Sequence, residues 1–92
     1  MKINYKSEGS NELFFIEEEG KQIGELVFTV RGDNMIITHT EVDDAYRNNN
    51  VGQALVEKAV EHAREKKYRV VPQCPFARAV IEKTASLQDV VA

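Results

Sequence analysis

The 92-residue sequence contains one cysteine, no tryptophan and no long hydrophobic run, and its net charge is −3. One cysteine excludes an internal disulfide. Only two histidines, His39 and His62, could join the cysteine as soft ligands, which makes a zinc site weak, so no metal is expected. Because nucleic acids bind basic surfaces, this charge argues against a nucleic-acid binder. No apolar run approaches the roughly 18 residues of a membrane span, and the first residues, MKINYKSEGS, lack an apolar signal core. We therefore expect a cytoplasmic protein that does not bind membranes.

Length and composition predict one domain over residues 1–92. Hydrophobic residues make up 42% of the chain, enough for a single modest core. No internal repeat or low-complexity segment divides the sequence. The longest polar run, EVDDAYRNNN, is short and lies between structured patterns, so it is interpreted as a loop within the domain and not as a linker.

Alternating apolar residues predict three strands in the first half of the chain. They cover NELFFIEEE around residues 12–18, KQIGELVFTV at residues 21–30 and MIITHTEV at residues 35–42. Short turns, EEGKQ and RGDN, separate them, and Gly32 or Asn34 in the second turn can take positive φ. The three strands are therefore predicted to form an antiparallel meander.

The hydrophobic period then lengthens, which predicts a long amphipathic helix over residues 51–67. YRVVPQ follows as a short fourth strand, expected to pair parallel to the third through a right-handed crossover. PFARAVIEKTA predicts a second helix, and the tail SLQDVVA could dock or fray. The predicted fold class is α+β or mixed α/β: an antiparallel meander followed by β-α-β-α, with helices packed on a mixed sheet.

The stretch YRNNNVGQAL places three asparagines where the long helix begins. The first N–H groups of a helix lack internal partners, and the helix dipole favours an anion there. Asparagine tolerates left-handed backbone, Gly52 has no Cβ to keep an anion away, and Arg47 adds a positive charge. The residues fit a phosphate cradle, although an asparagine-rich turn that only caps the helix is the commoner arrangement.

The segment YRNNNVGQALVEKAVEHAREKKYRVVPQCPFARAVIEK resembles the short, single-domain branch of the GCN5-related N-acetyltransferases. THTEV before the loop is also similar, and the resemblance covers residues 35–83. In that family, the pyrophosphate of acetyl-CoA is bound by a loop with a six-residue pattern. The pattern is Gln or Arg, then any two residues, then Gly, then any one residue, then Gly or Ala. Arg47 matches the first position and Gly52 the last, and Asn50 stands at the middle glycine. The resemblance implies an acetyl-CoA cradle formed by Arg47, Asn48, Asn49, Asn50, Val51, Gly52 and Gln53.

Cys74 ends the fourth predicted strand and precedes Pro75, which suits the first turn of a helix. At such an N-cap, the helix terminus lowers the pKa of a thiol. A lone cysteine is otherwise most often a small buried hydrophobe. The resemblance puts Cys74 near the thioester, where it could carry the acetyl group or return a proton to the CoA thiolate. Phe76 lacks a hydroxyl and is given no catalytic role.

His39 and Glu41 lie at the end of the third predicted strand. Strict alternation puts them on one face with Met35 and Ile37, opposite Ile36, Thr38, Thr40 and Val42. The resemblance implies that this strand end runs beside the acetyl group, where either side chain could take a proton from an amine. A polar strand face in contact with solvent would explain both residues equally well. His62, at the edge of the long helix, is interpreted as a surface residue.

The resemblance implies an acetyl-CoA-binding N-acetyltransferase that acts on an unidentified amine. The chain is shorter than a typical member and lacks the patterns for a helical pair after the first strand and for the last two strands. In the larger family, these pieces form much of the acceptor site. The alternatives are therefore a CoA-binding protein without efficient catalysis and a non-enzymatic interaction module. A monomer or weak homodimer is expected, because a small sheet has an open edge.

Overall fold

A computed structural model describes residues 2–92 and contains one five-stranded sheet with two α-helices. The elements are β1 (Asn4–Glu8), β2 (Asn11–Glu18), β3 (Lys21–Arg31), β4 (Asn34–Val42), α1 (Val51–Lys66), β5 (Arg69–Pro72) and α2 (Pro75–Lys83), with 3₁₀ segments at Asp44–Asn49 and Ala85–Val90. The strands lie side by side in sequence order. The pairs from β1 to β4 are antiparallel, and β5 is parallel to β4. The predicted mixed sheet and its parallel final pair are confirmed.

Both ends of the chain add structure that the sequence patterns did not predict. β1 is polar, with the sequence NYKSE, and it pairs only with β2, as an edge strand. At the other end, the tail docks, because Leu87 and Val90 of the second 3₁₀ segment are buried. Val91 then forms a parallel bridge with Val70 of β5. Neither segment has an apolar period of its own, so the structure of each depends on the neighbouring elements it contacts.

The core lies between one face of the sheet and both helices. A single cluster of buried side chains combines Phe28, Met35 and Val70 from the sheet with residues of α1 and α2. Gly24 of β3 lies under α1, and a Cβ there would stand 2.8 Å from a methyl group of Val51. Glycine therefore lets α1 approach the sheet closely. No helix within residues 2–92 is long and apolar enough to cross a membrane.

A β-bulge at Thr38 interrupts the pairing of β4 with β3. Val27 pairs with His39 and Phe28 with Ile37, so Thr38 has no partner of its own. An extra residue in one strand shifts the alternation of side chains by one position. The prediction that Met35, Ile37, His39 and Glu41 share one face is therefore wrong. Met35 and Ile37 face the helices with 0% exposure, and His39 and Glu41, beyond the bulge, lie on the uncovered face of the sheet.

β5 is much shorter than β4 and accompanies only its first half. The parallel pairs run from Asn34 to Ile37 of β4. There the carbonyl of Ile37 accepts hydrogen bonds from the N–H groups of both Gln73 and Cys74, each at 3.0 Å. The chain then turns into α2, and β4 continues to Val42 with no strand of residues 2–92 paired to it on that edge. The strands thus separate next to the N-terminus of each helix.

Candidate functional site

A cavity of about 470 Å³ opens where β4 and β5 separate. The end of β4, the first 3₁₀ segment, the start of α1 and the first turn of α2 enclose it. We call it the β4 groove, and its lining residues are His39, Thr40, Glu41, Val42, Arg47, Gly52 and Phe76. The groove thus brings together four residues that the sequence singled out for different reasons: His39, Glu41, Arg47 and Gly52.

The three asparagines have different conformations in the structure. Asn48 and Asn49 belong to the 3₁₀ segment, whereas Asn50 has left-handed backbone with φ 59° and ψ 23°. The side chain of Asn50 makes no capping hydrogen bond to α1. The N–H of Ala54 donates to the carbonyl of Asn50 at 3.0 Å, and this bond starts the helical ladder. The three preceding N–H groups, at Val51–Gln53, therefore point out of the helix end towards any anion that approaches.

The space beside Gly52 is occupied by the ring of Phe76. A Cβ built on Gly52 would lie 2.5 Å from Cζ and 2.7 Å from Cε2 of that ring, so the ring would have to move. Phe76 itself keeps 44% of its surface exposed on the groove side. Glycine at position 52 is thus required by an aromatic partner from α2, a contact that the sequence motif did not indicate.

Cys74 is the N-cap residue of α2, as predicted, and it is 7% exposed. Its Sγ lies 3.5 Å from Oγ1 of Thr40, and it does not line the β4 groove directly. Burial alone would raise the pKa of the thiol. The N–H of Ala77, the hydroxyl of Thr40 and the N–H of Phe76 outweigh that effect, and the pKa is lowered from its ordinary value of 9.0. The site therefore favours a thiolate more than a buried apolar cysteine would.

His39 and Glu41 lie on the uncovered face of the sheet with Glu25 of β3. Nε2 of His39 is 3.9 Å from Oε2 of Glu25, and Glu25 pairs with Glu41 across the strands. The ligand atoms of the three residues lie within 4.8 Å of one another, a spacing that a metal ion could bridge but that exposed carboxylates also adopt without one. Cys74 lies on the helix-covered side, so β4 separates the thiol from the imidazole. The two candidates do not form a direct Cys–His pair.

A second cavity, of about 370 Å³, adjoins the β4 groove and shares Glu41, Val42 and Arg47 with it. We call it the acidic groove. Two of its carboxylates already have cationic partners, since Asp43 pairs with Lys21 at 3.0 Å and Asp44 with Arg47 at 2.9 Å. Glu41 stands at the boundary between the two cavities. A protonated amine in the acidic groove would therefore meet negative charge next to the β4 groove.

The comparison with known families agrees with this architecture. Residues 13–90 match the family model described as GCN5-related N-acetyl-transferase.

The chain belongs to the GCN5-related N-acetyltransferases.

Solved structures place the chain within this family more closely. A GCN5-like protein from Staphylococcus aureus, determined in solution, is 32% identical, with a TM-score of 0.74 over 97% of this chain and 87% of that one. A ribosomal-protein-alanine N-acetyltransferase from Brucella melitensis is 17% identical with a TM-score of 0.71. The Escherichia coli ribosomal-protein-S18-alanine N-acetyltransferase is 18% identical with a TM-score of 0.70. At these two lower identities, the likeness concerns the fold.

The chain is short beside its larger relatives. It spans 63% of the Brucella enzyme and 53% of the E. coli enzyme. No curated protein sequence matches it significantly. N-acetyltransferases of this family generally use acetyl-CoA as co-substrate. The acceptors stated in the names of solved relatives differ, from a ribosomal-protein alanine to an aminoglycoside.

Three residues at the site were given no role on the basis of the sequence. Thr40 contacts the thiol because the bulge turns it towards the helices, and strict alternation had separated it from any role. Glu25 is a charged residue on a strand of apolar neighbours, GELVF, and that signal could have marked it. Phe76 gave no signal for its contact with Gly52, because the two residues are brought together only by the packing of α2 on α1.

His62 was interpreted as a surface residue, and the structure places it differently. Its ring lies 5.4 Å from that of Phe14 and 5.7 Å from that of Phe28, and Tyr5 and Tyr68 also contact it. This partial burial lowers the pKa of the imidazole from its ordinary 6.5. His62 is thus a structural residue of the helix-covered face, away from the β4 groove.

Proposed function

We propose that the protein is an acetyl-CoA-dependent N-acetyltransferase that transfers the acetyl group to an amine. The observation that carries this proposal is the separation of β4 from β5 after Ile37, beside the N-terminus of α1. It leaves one strand edge free to bond an extended ligand and one helix end free to bond an anion at the end of the same groove.

In this proposal, the N-terminus of α1 binds the pyrophosphate of acetyl-CoA. The N–H groups of Val51–Gln53 supply the donors, with Asn50 providing the left-handed turn that directs the chain into the helix, whereas Asn48 and Asn49 lie in the 3₁₀ segment before it. Arg47 adds a positive charge on the wall of the β4 groove, although its Nε already lies 2.9 Å from Asp44. The free edge of β4, from Thr38 to Val42, offers backbone groups to the amides of the pantetheine arm.

The chemistry divides between the two sides of β4. On the uncovered face, Glu41 or His39 takes a proton from the amine, directly or through water, so that the nitrogen lone pair can attack. The new C–N bond forms, the C–S bond of the thioester breaks, and its electron pair goes to sulfur. On the helix side, Cys74 returns a proton to that sulfur, and Thr40, which lines the groove and bonds Cys74, can relay it. Cys74 could instead carry the acetyl group itself.

The acidic groove supports a cationic amine as acceptor, either a small amine or a protein lysine. A protonated amine is attracted by carboxylates, and Glu41 lies in both cavities. The Glu41 carboxylate that attracts the protonated amine can also accept its proton before the nitrogen attacks the thioester. The expectations of a single domain, a cytoplasmic location and a monomer or weak homodimer stay predictions.

One observation favours a second candidate, a CoA-binding protein without efficient catalysis. Cys74 is 7% exposed and sits behind Thr40, and β4 separates it from His39. With Cys74 and His39 on opposite sides of β4, proton transfer to and from a bound thioester would need intermediate groups such as Thr40 or water. A non-enzymatic interaction module that uses the same fold is the third candidate.

Titration calorimetry with acetyl-CoA and with CoA tests the proposal first. We expect a dissociation constant in the micromolar range, as is usual for enzymes and their substrates. Release of free CoA thiol with a panel of amines then measures turnover, and intact mass after incubation with acetyl-CoA detects an acetyl group on Cys74. Binding without turnover would favour the second candidate. No binding at millimolar ligand would leave the interaction module.

A further inference from the structure

A further cavity, of about 530 Å³, lies outside the β4 groove and is larger than it. The end of β5, the second half of α2 and the docked tail enclose it. We call it the tail cavity, and the lining residues that matter here are Val71, Pro72, Arg78, Ile81, Glu82 and Val91. No residue lines both the tail cavity and the β4 groove, so the two are separate.

The tail forms one wall of this cavity and is fixed at several points. Arg64 of α1 donates two hydrogen bonds to the carboxylate of Asp89, from Nε at 3.1 Å and from Nη2 at 2.6 Å. Gln88 donates to two carbonyl groups near the end of α2, each at 3.1 Å. Val91 forms its bridge with Val70. The cavity therefore exists before any ligand arrives, which lowers the cost of binding.

One cationic and one anionic side chain of α2 line the tail cavity. Arg78 and Glu82 are four residues apart, and such positions are neighbours on a helix surface, with about 5–6 Å between their Cβ atoms. Arg78 directs its Nε to the carbonyl of Pro72 at 3.3 Å. Neither Arg78 nor Glu82 forms an ion pair with another of the residues 2–92. Both charges are exposed and therefore available to a ligand.

The rest of the lining is largely apolar. Ile81 is 3% exposed, and Val71 and Val91 are half-buried. Small-molecule sites have this character: a preformed cavity with apolar walls and a few polar groups that fix orientation. A guanidinium group matches a carboxylate, and a carboxylate matches an ammonium group. An α-amino acid with an apolar side chain carries all three complementary groups on one carbon.

We infer that the tail cavity binds a free amino acid with a large apolar side chain, with Arg78 holding the carboxylate and Glu82 the ammonium group. The ligand's side chain contacts Val71 and Ile81. Phe76, two residues before Arg78 and thus about 200° away around α2, lines the β4 groove instead. The helix separates the two sites, so this inference can fail or hold independently of the proposed function.

Titration of the full chain with L-phenylalanine, without acetyl-CoA and followed by two-dimensional ¹H–¹⁵N NMR, tests the site. We expect chemical-shift changes at the residues of the tail cavity, with a dissociation constant of about 1 mM or below. Glycine, which lacks the apolar side chain, is expected to bind at least about fivefold more weakly. No shift changes up to about 10 mM phenylalanine, or changes confined to the β4 groove and the acidic groove, would overturn the inference.

Two analogues separate the charged contacts. Phenylalaninamide lacks the carboxylate and N-acetylphenylalanine lacks the ammonium group, and each is expected to bind about fivefold more weakly than phenylalanine. Arg78→Gln should weaken phenylalanine and N-acetylphenylalanine and leave phenylalaninamide unchanged. Glu82→Gln should weaken phenylalanine and phenylalaninamide and leave N-acetylphenylalanine unchanged. Both side chains are exposed, so neither substitution disturbs the core.

Lys83→Gln is the matched control, since Lys83 is an exposed cation next to Glu82 on α2 and does not line the tail cavity. It is expected to leave every affinity unchanged. An equal effect of Lys83→Gln and Arg78→Gln would show a response to net charge alone and would overturn the inference. Equal affinity for phenylalanine and N-acetylphenylalanine would mean that the cavity takes an apolar acid and not an amino acid. Wild-type affinity for phenylalanine in both Arg78→Gln and Glu82→Gln would also contradict it.

Discussion

The two halves of β4 have the same backbone partner in β3 but differ in almost every other respect. Before Thr38, the strand pairs with β5 as well, and its inward side chains, Met35 and Ile37, have 0% exposure. After Thr38, the outer edge is free, and the side chains carry a hydroxyl, an imidazole and a carboxylate. The extra residue, Thr38, and the early end of β5 therefore leave the second half of β4 as a wall of the β4 groove.

The comparison teaches that the site uses backbone left unpaired by the fold. The part of the same edge that is formed by β5 is protected. On β5, the N–H of Ala92 donates to the carbonyl of Val70, and Arg78 caps the carbonyl of Pro72. Unpaired strand edges attract other chains, and proteins usually cover them. The free half of β4 instead faces the β4 groove, beside the first turns of α1 and α2.

Ile37→Ala should break the paired half and have the largest effect on stability. Removal of a fully buried isoleucine side chain is expected to cost about 2–5 kcal/mol of unfolding free energy. Urea denaturation followed by circular dichroism measures this cost. The matched control is Thr38→Ala, whose exposed side chain makes a single hydrogen bond to Val27 at 3.4 Å, with an expected cost of about 0.5 kcal/mol or less. Equal costs would contradict the division of the strand.

Cys74→Ala should separate chemistry from binding in the unpaired half. If Cys74 is the acid, kcat with saturating acetyl-CoA is expected to fall about 100-fold, within the range for general acid catalysis, while the dissociation constant of acetyl-CoA stays unchanged. Release of CoA thiol measures the first quantity and calorimetry the second. Wild-type turnover in this variant would show that Cys74 has no chemical role.

Deletion of Thr38 should sharpen the comparison, because it removes the bulge but keeps Thr40 facing the helices and His39 on the uncovered face. We expect the protein to fold, since the core side chains of β4 keep their positions. The strand loses its local bend, the β4 groove narrows, and acetyl-CoA affinity is expected to fall roughly tenfold or more. Calorimetry checks the affinity. Wild-type affinity in the deletion variant would mean that β4 and β5 separate without the bulge.

His62 should make the free energy of unfolding slightly dependent on pH, and this dependence should arise on the helix-covered face alone. Its pKa in the folded protein is below the ordinary 6.5, so the unfolded chain binds this proton more readily. Its contribution to stability is therefore fully present above pH 6.5 and is lost as pH falls from there through the lower folded value. Urea midpoints between pH 7.5 and pH 5 measure this fall.

His62→Phe should remove that part of the fall, because phenylalanine fits an aromatic environment and does not titrate. His39→Asn is the matched control, since it removes the histidine of the site and keeps His62. An identical pH dependence in His62→Phe and the wild type would contradict the assignment.

Much of the fold could be predicted from local patterns. The three meander strands, both helices and the parallel fourth strand were identified by periodicity, and the predicted helix ends lie within two residues of those observed, at Lys66 and Lys83. β1 was missed because its polar sequence has no period and forms a strand only against β2. The docked tail was left open because its few apolar residues find their partners on β5 and α1.

The candidate site was predicted as a list of residues and not as an arrangement. The residues at the N-terminus of α1 and the N-cap position of Cys74 follow from neighbours in the chain, so the sequence indicated them. The faces of β4 were wrong from Thr38 onwards, because a bulge depends on the partner strand and leaves no local signature. Thr40, which had been given no role, is therefore the residue in contact with the thiol.

By itself, the sequence determined which segments form helices and strands, because hydrophobic period and turn residues act over a few positions. It also determined that the one cysteine occupies the N-cap position of a helix and that asparagines precede the other helix. Only the tertiary structure decided which side of β4 each residue faces, where β5 stops, and that the ring of Phe76 occupies the space beside Gly52. The physical reason is that strand register, edge pairing and side-chain packing are interactions between residues distant in the chain, which no local pattern specifies.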